Sequence, residues 1–258
     1  MTAVFESIGL FFVRVFEETG LWFRMLWRTI RWTFRPPFEI REWMRQMVRL
    51  GFDSIPVVVL TTMFTGMVLA LQTYTGFSRF AAESAIPNVV VLSMTRELGP
   101  VIAGLMVAGR IGASIAAEIG TMRVTDQIDA LITLSTNPFK YLVVPRLLAG
   151  LAMLPALVLV ADVIGVFGGF LVSTYKLDFN PASYISRSAD FLQTEDVVAG
   201  LVKAAAFGFI VTLMGCYNGY HSRGGAQGVG AATTYAVVSS SILILVFDYV
   251  LTEAFFAR

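Results

Sequence analysis

Residues 95–131, TRELGPVIAGLMVAGRIGASIAAEIGTMRVTDQIDAL, decide how the rest of the chain is interpreted. The stretch opens with two adjacent charges, Arg96 and Glu97, runs through an apolar segment, and becomes charged again from Glu118 onward. Small residues recur at every fourth position of the apolar part, at Gly104, Ala108, Gly112, Ala116 and Gly120. This step places them on roughly one face of a helix, where another backbone can approach closely.

The residues of this stretch allow two interpretations. In the first, one continuous segment leaves a membrane and becomes an amphipathic surface helix, since apolar and charged residues alternate over residues 118–136. In the second, a plain transmembrane helix with a close-packing face is followed by a solvated loop. In both, Asn137 and Pro138 end the segment.

The composition identifies an integral membrane protein. Of the 258 residues, 56% are hydrophobic and 14% are charged, whereas a soluble domain carries roughly a quarter charged residues. The net charge of +1 gives no bulk attraction to nucleic acid. Cys216 and His221 are the single cysteine and histidine, which excludes an intramolecular disulfide and His-pair metal motifs. Glycine-rich residues 224–230 lack the Lys-Ser or Lys-Thr of a P-loop, so any ATP would bind another chain.

Residues 1–50 predict a helix that lies in the membrane interface. They hold eight arginines and all four tryptophans. A basic stripe formed by Arg24, Arg28, Arg31 and Arg35 lies beside an apolar one formed by Phe12, Phe16, Phe23, Trp27, Ile30 and Phe34. Tryptophan and arginine suit the headgroup layer of a bilayer with anionic lipids. A soluble helix packed on a partner is the alternative, and Pro36 and Pro37 end the helix.

Five apolar stretches predict five transmembrane helices within residues 51–258. They cover roughly residues 54–78, 87–117, 145–175, 197–220 and 233–255, each long enough to cross a bilayer. With the N-terminus inside, twelve lysines and arginines are cytoplasmic, four are outside and three lie within spans, which predicts a cytoplasmic N-terminus and an outer C-terminus. The predicted fold is an all-α integral membrane protein with an N-terminal interfacial amphipathic helix and a cytoplasmic helix between spans two and three.

Five charged residues fall within the outer half of the predicted spans: Arg96, Glu97, Asp162, Lys203 and Asp248. Charges at this depth are costly and should face the bundle interior or a wet cavity. Lys203 and Asp248 have similar depth, so we expect them to form an ion pair with a structural role. Arg96 and Glu97 lie near Pro100 inside a span. Because two charges inside a membrane cost free energy, their presence favours a functional role.

Gln72 closes the first predicted span at a similar outer level, beside Leu69, Phe77 and Phe80. An apolar wall with polar groups at one end would suit an amphiphile. Aromatic residues at the end of a span are, however, usually lipid-facing anchors.

Four blocks of the sequence resemble one family. FTGMVLALQ at residues 64–72, RELGPV at 96–101, AGR at 108–110 and EIGTMRVTDQIDAL at 118–131 are similar to signature blocks of the MlaE/YrbE permeases. Those proteins are the membrane subunits of MCE-type ABC transporters, which move lipids between membranes. The resemblance covers approximately residues 45–256, and its second and fourth blocks together are highly specific.

The resemblance implies a permease subunit without catalysis of its own, in a bacterial inner membrane. It would move phospholipids between the inner and outer membranes and maintain outer-membrane lipid asymmetry. The implied partners are a second copy of the chain, an ABC ATPase, a periplasmic MCE-domain protein, a small STAS-type subunit and phospholipid. ATP and magnesium would belong to the ATPase, and this chain would bind no cofactor and no metal.

The resemblance also assigns roles to residues. A coupling helix docking in the ATPase would span residues 118–131 and use Glu118, Met122, Arg123, Asp126, Gln127, Ile128, Asp129 and Leu131. The lipid cavity of a homodimer would be lined by Leu69, Gln72, Phe77, Phe80, Arg96 and Glu97. Asp126 stands where the family often has glutamate, which should leave docking intact. Residues 221–232 show no strong match and are assigned no role.

Two other classes of function stay open. An ion-coupled secondary transporter would use Asp162, Lys203 and Asp248 as a titrating relay, but this leaves the amphipathic segment after the second span unexplained. A non-transporting membrane scaffold would tolerate the loss of the charge on Glu97.

Overall fold

The computed structural model describes residues 2–33, 35–36 and 39–256, and all regular structure in these ranges is helical. Stretches long and apolar enough to cross a membrane number five: Ile40–Phe80, Glu83–Val124, Phe139–Tyr175, Thr194–Tyr220 and Gly225–Phe256. The all-α membrane class and the number of spans predicted from the sequence are thereby confirmed.

The α-helices are α1 (Thr2–Thr33), α2 (Ile40–Leu50), α3 (Ile55–Phe77), α4 (Ile86–Ser93), α5 (Gly99–Val107), α6 (Ala113–Val124), α7 (Gln127–Thr133), α8 (Val144–Tyr175), α9 (Pro181–Phe191), α10 (Thr194–Tyr220) and α11 (Gly225–Phe256). Wider π-turns lie at Met94–Leu98, Ala108–Gly112 and Phe139–Val143, and short 3₁₀ turns at Phe52–Ser54, Ser78–Phe80 and Glu83–Ala85. The second span therefore consists of α4, α5 and α6 joined by two π-turns.

The last helix starts earlier than the sequence predicted. Gly224 and Gly225 adopt positive φ angles of 90° and 67°, and α11 begins at once, whereas the predicted span began near residue 233. Glycines lower the helix propensity of this segment, which hid its helical character. Packing compensates, because a Cβ on Gly120 of α6 would lie 3.5 Å from a methyl of Val229 in α11.

A pair of glycines lets α8 and α10 cross with their backbones in contact. A Cβ added to Gly150 would lie 2.6 Å from the carbonyl oxygen of Gly208, and one added to Gly208 would lie 2.2 Å from that of Gly150. Neither position has room for a side chain. Such close crossings are typical of helices packed in membranes, where small residues take the place of a hydrophobic driving force.

The small-residue face of residues 104–120 packs within the chain. Ala108 and Ala116 are fully buried, and a Cβ on Gly112 would lie 3.5 Å from Val211 of α10. Conversely, a Cβ on Gly215 of α10 would lie 3.0 Å from the Gly112 carbonyl oxygen. The four-residue step therefore serves close packing between helices of one chain.

The two N-terminal helices lie against this bundle. Met25 and Thr29 of α1 are buried, and α2 buries Gln46 and Leu50 as it packs along α8. In contrast to these buried residues, two members of the apolar stripe predicted from the sequence are mostly exposed: Phe23 is 67% exposed and Trp27 is 71% exposed. The side chains of Phe12 and Phe16, and all of Phe34 and Pro37, lie outside what the structure describes.

Candidate functional site

Lys203 of α10 is the centre of a charge network inside the helix bundle. Its side chain is 0% exposed, and Nζ donates hydrogen bonds to Glu97 Oε2 at 2.8 Å and to Thr252 Oγ1 at 2.7 Å. Nζ also lies 3.0 Å from Asp248 Oδ1, the contact expected from the opposite charges and similar depth of the two residues. Glu97 is thus a second carboxylate on the same ammonium, and it joins the second span to α10 and α11.

The Met94–Leu98 π-turn brings the backbone as well as Glu97 to this lysine. Pro100 has no N–H and cannot donate the α-helical hydrogen bond to the carbonyl of Arg96. Lys203 Nζ donates to that carbonyl at 3.0 Å. The Gly99 N–H bonds to the Met94 carbonyl across the wider turn. Single π-turns of this kind are frequent at functional sites.

Arg96 has its own carboxylate partner, which sequence reasoning missed. Its Nε donates to Asp196 Oδ1 at 2.7 Å, and its guanidinium carbon lies 4.0 Å from the centre of the Phe256 ring. Asp196 is buried in the first turn of α10, where it also accepts the Gln193 N–H at 3.0 Å. From the sequence, Asp196 is an ordinary acidic residue at a helix start, and no local pattern connects it with Arg96.

The other residues assigned to a lipid cavity lie at the outer end of α3. Leu69 and Phe77 pack against a buried cluster made of Ala70, Ile86, Val90 and Met94, and Leu98 packs against the same cluster. Gln72 and Phe80 are exposed. The structure therefore brings Leu69 and Phe77 to the same cluster as the π-turn that carries Glu97, whereas Gln72 and Phe80 are not part of that cluster.

Asp162 of α8 lies apart from the hydrogen bonds of Lys203. Its Oδ1 occupies the space that a side chain at Gly99 would need, 1.9 Å from the position of a Cβ there. Within the described part of the chain, Oδ1 has no hydrogen-bond partner. Asp162 also lines an apolar groove of about 570 Å³ with Phe167 and with Tyr184 of α9. Of the three residues of the supposed relay, Lys203 and Asp248 are therefore in contact, and Asp162 lies outside their hydrogen bonds.

At the other end of the bundle, Glu118 joins three helices. Its Oε2 lies 3.0 Å from Arg49 NH1 of α2 and 3.2 Å from Arg146 NH2 of α8. Arg146 is buried and also donates to the Leu142 carbonyl at 2.6 Å. Glu118 thus joins α6 to α2 and α8 through two ion pairs, although its side chain is 39% exposed.

Residues 118–131 are not one helix, which corrects the sequence prediction. Helix α6 continues to Val124, Asp126 turns the chain with a left-handed φ of 57°, and the separate α7 starts at Gln127. Aspartate is one of the few residues with a side chain that tolerate this conformation. Arg123 NH1 donates to Asp129 Oδ1 at 2.8 Å and clamps α7 to the end of α6.

The side chains of α7 divide into an anchored side and an exposed side. Ile128 is 0% exposed, and Met122 and Leu131 pack on the same core. Ile128 therefore holds α7 on its own chain, although the amphipathic pattern made it a candidate contact with a partner. The exposed large apolar residues are Ile132, 52% exposed, and Leu134, which directly follows α7 and is 74% exposed. Gln127, Asp126 and Asp129 are exposed as well.

Comparison with known proteins agrees with this architecture. Residues 43–254 match a family described as permease MlaE. The chain is 56% identical over 251 residues to a probable ABC transporter permease protein of Rickettsia felis, covering 97% of each chain. It is 41% identical to a probable ABC transporter permease protein of Synechocystis over 84% of this chain and 82% of the relative. It is 36% identical to the intermembrane phospholipid transport system permease protein MlaE of Haemophilus influenzae, over 82% of each.

These matches confirm the resemblance carried by the sequence blocks at residues 96–101 and 118–131. The matched region contains all of α3 to α10, and so includes the Lys203 network, the Glu118 contacts and α7. This chain is a multi-pass membrane protein that belongs to the MlaE permease family.

Proposed function

We propose that this chain is the permease subunit of an ABC transporter that moves phospholipids between the inner and outer membranes of a bacterium. Such transport would contribute to outer-membrane lipid asymmetry. The name of the Haemophilus relative, an intermembrane phospholipid transport permease, supports the proposal. The observation that carries it is α7, a short helix anchored by Ile128, where Ile132 and the directly following Leu134 are exposed next to the bundle. An apolar helix surface of this kind needs a groove in a partner.

In this proposal the nucleotide chemistry belongs to a partner. A separate ATPase binds ATP and magnesium and docks on α7. A second copy of the chain completes a lipid cavity with Leu69, Gln72, Phe77, Phe80, Arg96 and Glu97, and a periplasmic MCE-domain protein and a STAS-type small subunit complete the transporter. The twelve cytoplasmic lysines and arginines support an inner-membrane orientation with the N-terminus in the cytoplasm and the C-terminus in the periplasm.

A continuous chain segment connects α7 with the charge network. Movement of α7 would act on α6 through the turn at Asp126, which Arg123 and Asp129 clamp. Helix α6 continues through α5 into the Met94–Leu98 π-turn, which carries Glu97. A shift of this segment would change how Glu97 meets Lys203 and so change the shape of the cavity beside it. A lipid held differently in the two shapes would be captured in one and released in the other.

The two alternative functions have less support. A titrating relay needs neighbouring acids and bases, but Asp162 has no hydrogen bond to Lys203 in the described ranges and faces a groove shared with α9. A passive scaffold has no need of an exposed apolar helix held at a fixed position. Gradient-driven lipid movement by this chain alone would favour the first alternative over the proposal.

Removal of the exposed apolar side chains of Ile132 in α7 and of Leu134 directly after it tests the proposal. The variant Ile132→Ala/Leu134→Ala should fold normally but lose the ATPase when the tagged chain is purified from native membranes, and ATP-driven phospholipid transfer in proteoliposomes should fall with it. The matched control, Ile185→Ala/Phe191→Ala, removes two exposed apolar side chains from α9 at the other end of the bundle. Equal ATPase recovery with wild type and both variants would reject α7 as the docking site.

A further inference from the structure

Helix α1 has three different faces. One face, with Met25 and Thr29, is buried against the bundle. A second carries Phe23 and Trp27, large apolar side chains that are mostly exposed and therefore suited to contact with lipid. Between them runs the third face, which carries Arg24, Arg28 and Arg31 about one helical turn apart, and Arg35 follows two residues after the helix ends.

The arginine face forms one wall of a groove of about 740 Å³. The groove is lined on that side by Arg24, Arg28, Arg31 and Arg35. Its other wall is the segment that follows α7, which contributes Ser135, Thr136 and Asn137. Phe139 and Tyr220 line it as well, and the Arg28 guanidinium carbon lies 5.6 Å from the centre of the Phe139 ring. We call this space the arginine groove.

The positive charge of the arginine groove is not neutralised within the described residues, where none of its four arginines has a carboxylate within ion-pair distance. Five other arginines outside the outer half of the bundle do have such partners, whereas Arg41 and Arg223 have none within the described residues: Arg45 pairs with Glu42, Arg49 and Arg146 with Glu118, Arg110 with Asp53, and Arg123 with Asp129. Three like charges along one helix face, with a fourth just beyond the end of the helix, repel each other unless an anion lies among them. Arginine is also the side chain best suited to bind phosphate through two parallel hydrogen bonds.

The opposite wall offers hydrogen-bonding groups that suit an anion. The Asn137 Oδ1 accepts the N–H of Phe139 at 3.0 Å. The NH₂ group at the other end of the same amide is therefore the hydrogen-bond donor that Asn137 offers. Ser135 and Thr136 add hydroxyl groups. Guanidinium groups on one side and neutral donors on the other are the partners of a phosphate rather than of a cation.

The apolar residues around the arginine groove indicate that the phosphate belongs to a phospholipid. Trp27 and Trp32 line the arginine groove, and Trp27 belongs to the exposed apolar face of α1. A phospholipid satisfies both surfaces, because its phosphate meets the arginines while its acyl chains cover the apolar face. Free phosphate would leave the apolar face uncovered, and an acidic protein surface would match only the arginines.

We propose that the arginine groove binds the headgroup of an anionic phospholipid and thereby fixes the position of α7. Ile132, one of the exposed residues of α7, also lines the groove, and the segment from Ser135 to Phe139 follows directly after that helix. A bound headgroup would therefore bridge α1 to the base of α7. The position of the arginine groove on the cytoplasmic side of the membrane, and the docking of an ATPase on α7, rest on the proposed function, whereas the binding itself does not.

Lipid-contact fluorescence tests the binding directly. The full chain is purified in detergent, and quenching of its tryptophans is titrated with brominated phosphatidylglycerol or with brominated phosphatidylcholine. Two of the four tryptophans, Trp27 and Trp32, line the groove. Wild type should bind phosphatidylglycerol about tenfold more tightly, a preference on the scale expected for arginines near an anionic headgroup. The variant Arg28→Gln/Arg31→Gln should lose this preference, and Arg28→Lys/Arg31→Lys should keep part of it.

The control variant Arg41→Gln/Arg45→Gln removes the same charge from α2, away from the groove, and should bind like wild type. Retention of the preference by Arg28→Gln/Arg31→Gln would overturn the proposal. Displacement of brominated phosphatidylglycerol by millimolar glycerol phosphate would also overturn it, in favour of a free-phosphate site. No preference in wild type, together with loss of the co-purifying ATPase from Arg28→Gln/Arg31→Gln, would assign the groove to an acidic protein surface instead. Because binding is measured in detergent without nucleotide, failed transport with intact lipid preference would count against the proposed function alone.

Discussion

Lys203 Nζ lies 2.8 Å from Glu97 Oε2 although 106 positions separate the two residues in the chain. The hydrogen bond joins α10 to the Met94–Leu98 π-turn, and Asp248 of α11 holds the same ammonium from a third span. One buried cation thus links three of the five spans. Because a charge inside the bundle is costly without its partners, this contact fixes how the three helices meet.

Replacing the lysine should destabilise the fold strongly. Lys203→Met leaves Glu97 and Asp248 without a counter-ion, which should cost about 3–5 kcal/mol, the usual cost of breaking a buried ion pair. The measurement is the unfolding temperature of the purified chain in detergent. Thr252→Ala, which removes only one neutral hydrogen-bond partner of the lysine, should have a much smaller effect.

Double variants then decide whether the two carboxylates share the lysine. Lys203→Met/Glu97→Gln and Lys203→Met/Asp248→Asn should each unfold at a higher temperature than Lys203→Met, because each removes one uncompensated charge. If only the second double variant is milder, Lys203 pairs with Asp248 alone. If neither is milder, the network does not contribute to stability.

Neutralising Glu97 tests the link between the network and lipid. Glu97→Gln keeps the size of the side chain but replaces a charge-assisted hydrogen bond with a neutral one, and ATP-driven phospholipid transfer should fall about tenfold. The control is Glu195→Gln, which removes the same charge from an exposed position on α10. Normal assembly of the Glu97→Gln variant with unchanged phospholipid transfer would contradict the assignment of Glu97 to the lipid cavity.

The crossing of α8 and α10 should not tolerate even a methyl group. Gly150→Ala would bring a Cβ to 2.6 Å from the Gly208 carbonyl oxygen, and overpacking of this kind costs about 1–3 kcal/mol. Gly76→Ala in α3, where an added Cβ meets nothing within 4 Å, is the control and should be neutral or slightly stabilising. The unfolding temperatures of the two variants in detergent provide the comparison, and equal values would contradict the crossing geometry.

The left-handed turn before α7 should require a residue that accepts a positive φ. Asp126→Gly should keep the turn, whereas Asp126→Val should cost about 1–2 kcal/mol locally and displace α7. Recovery of the ATPase with the tagged chain should therefore drop for the valine variant only. Thr125→Val introduces the same side chain at a residue with φ of −103° and should recover the ATPase normally. Poor recovery with Asp126→Gly would show that the carboxylate matters rather than the backbone.

Features set by short stretches of sequence were predicted well. The five spans follow from the lengths of apolar runs, which depend only on neighbouring residues. The start of α11 at Gly225 was missed because glycine-rich helices have weak local signals and depend on packing against another helix. The break at Asp126 was missed because the amphipathic pattern of apolar and charged residues continues across it.

The sequence by itself determined the membrane class, the number of spans and the family, because hydropathy and motif spacing are local properties of the chain. Only the tertiary structure decided that Arg96 pairs with Asp196, that Glu97 shares Lys203 with Asp248, and that Ile128 is buried. From the sequence, two acidic residues at equal depth in the membrane are equally good partners for a lysine. The packing of α10 against the π-turn and α11 sets the distances from the lysine to each carboxylate. Because the interaction depends on distances of about 3 Å, those distances select the partners.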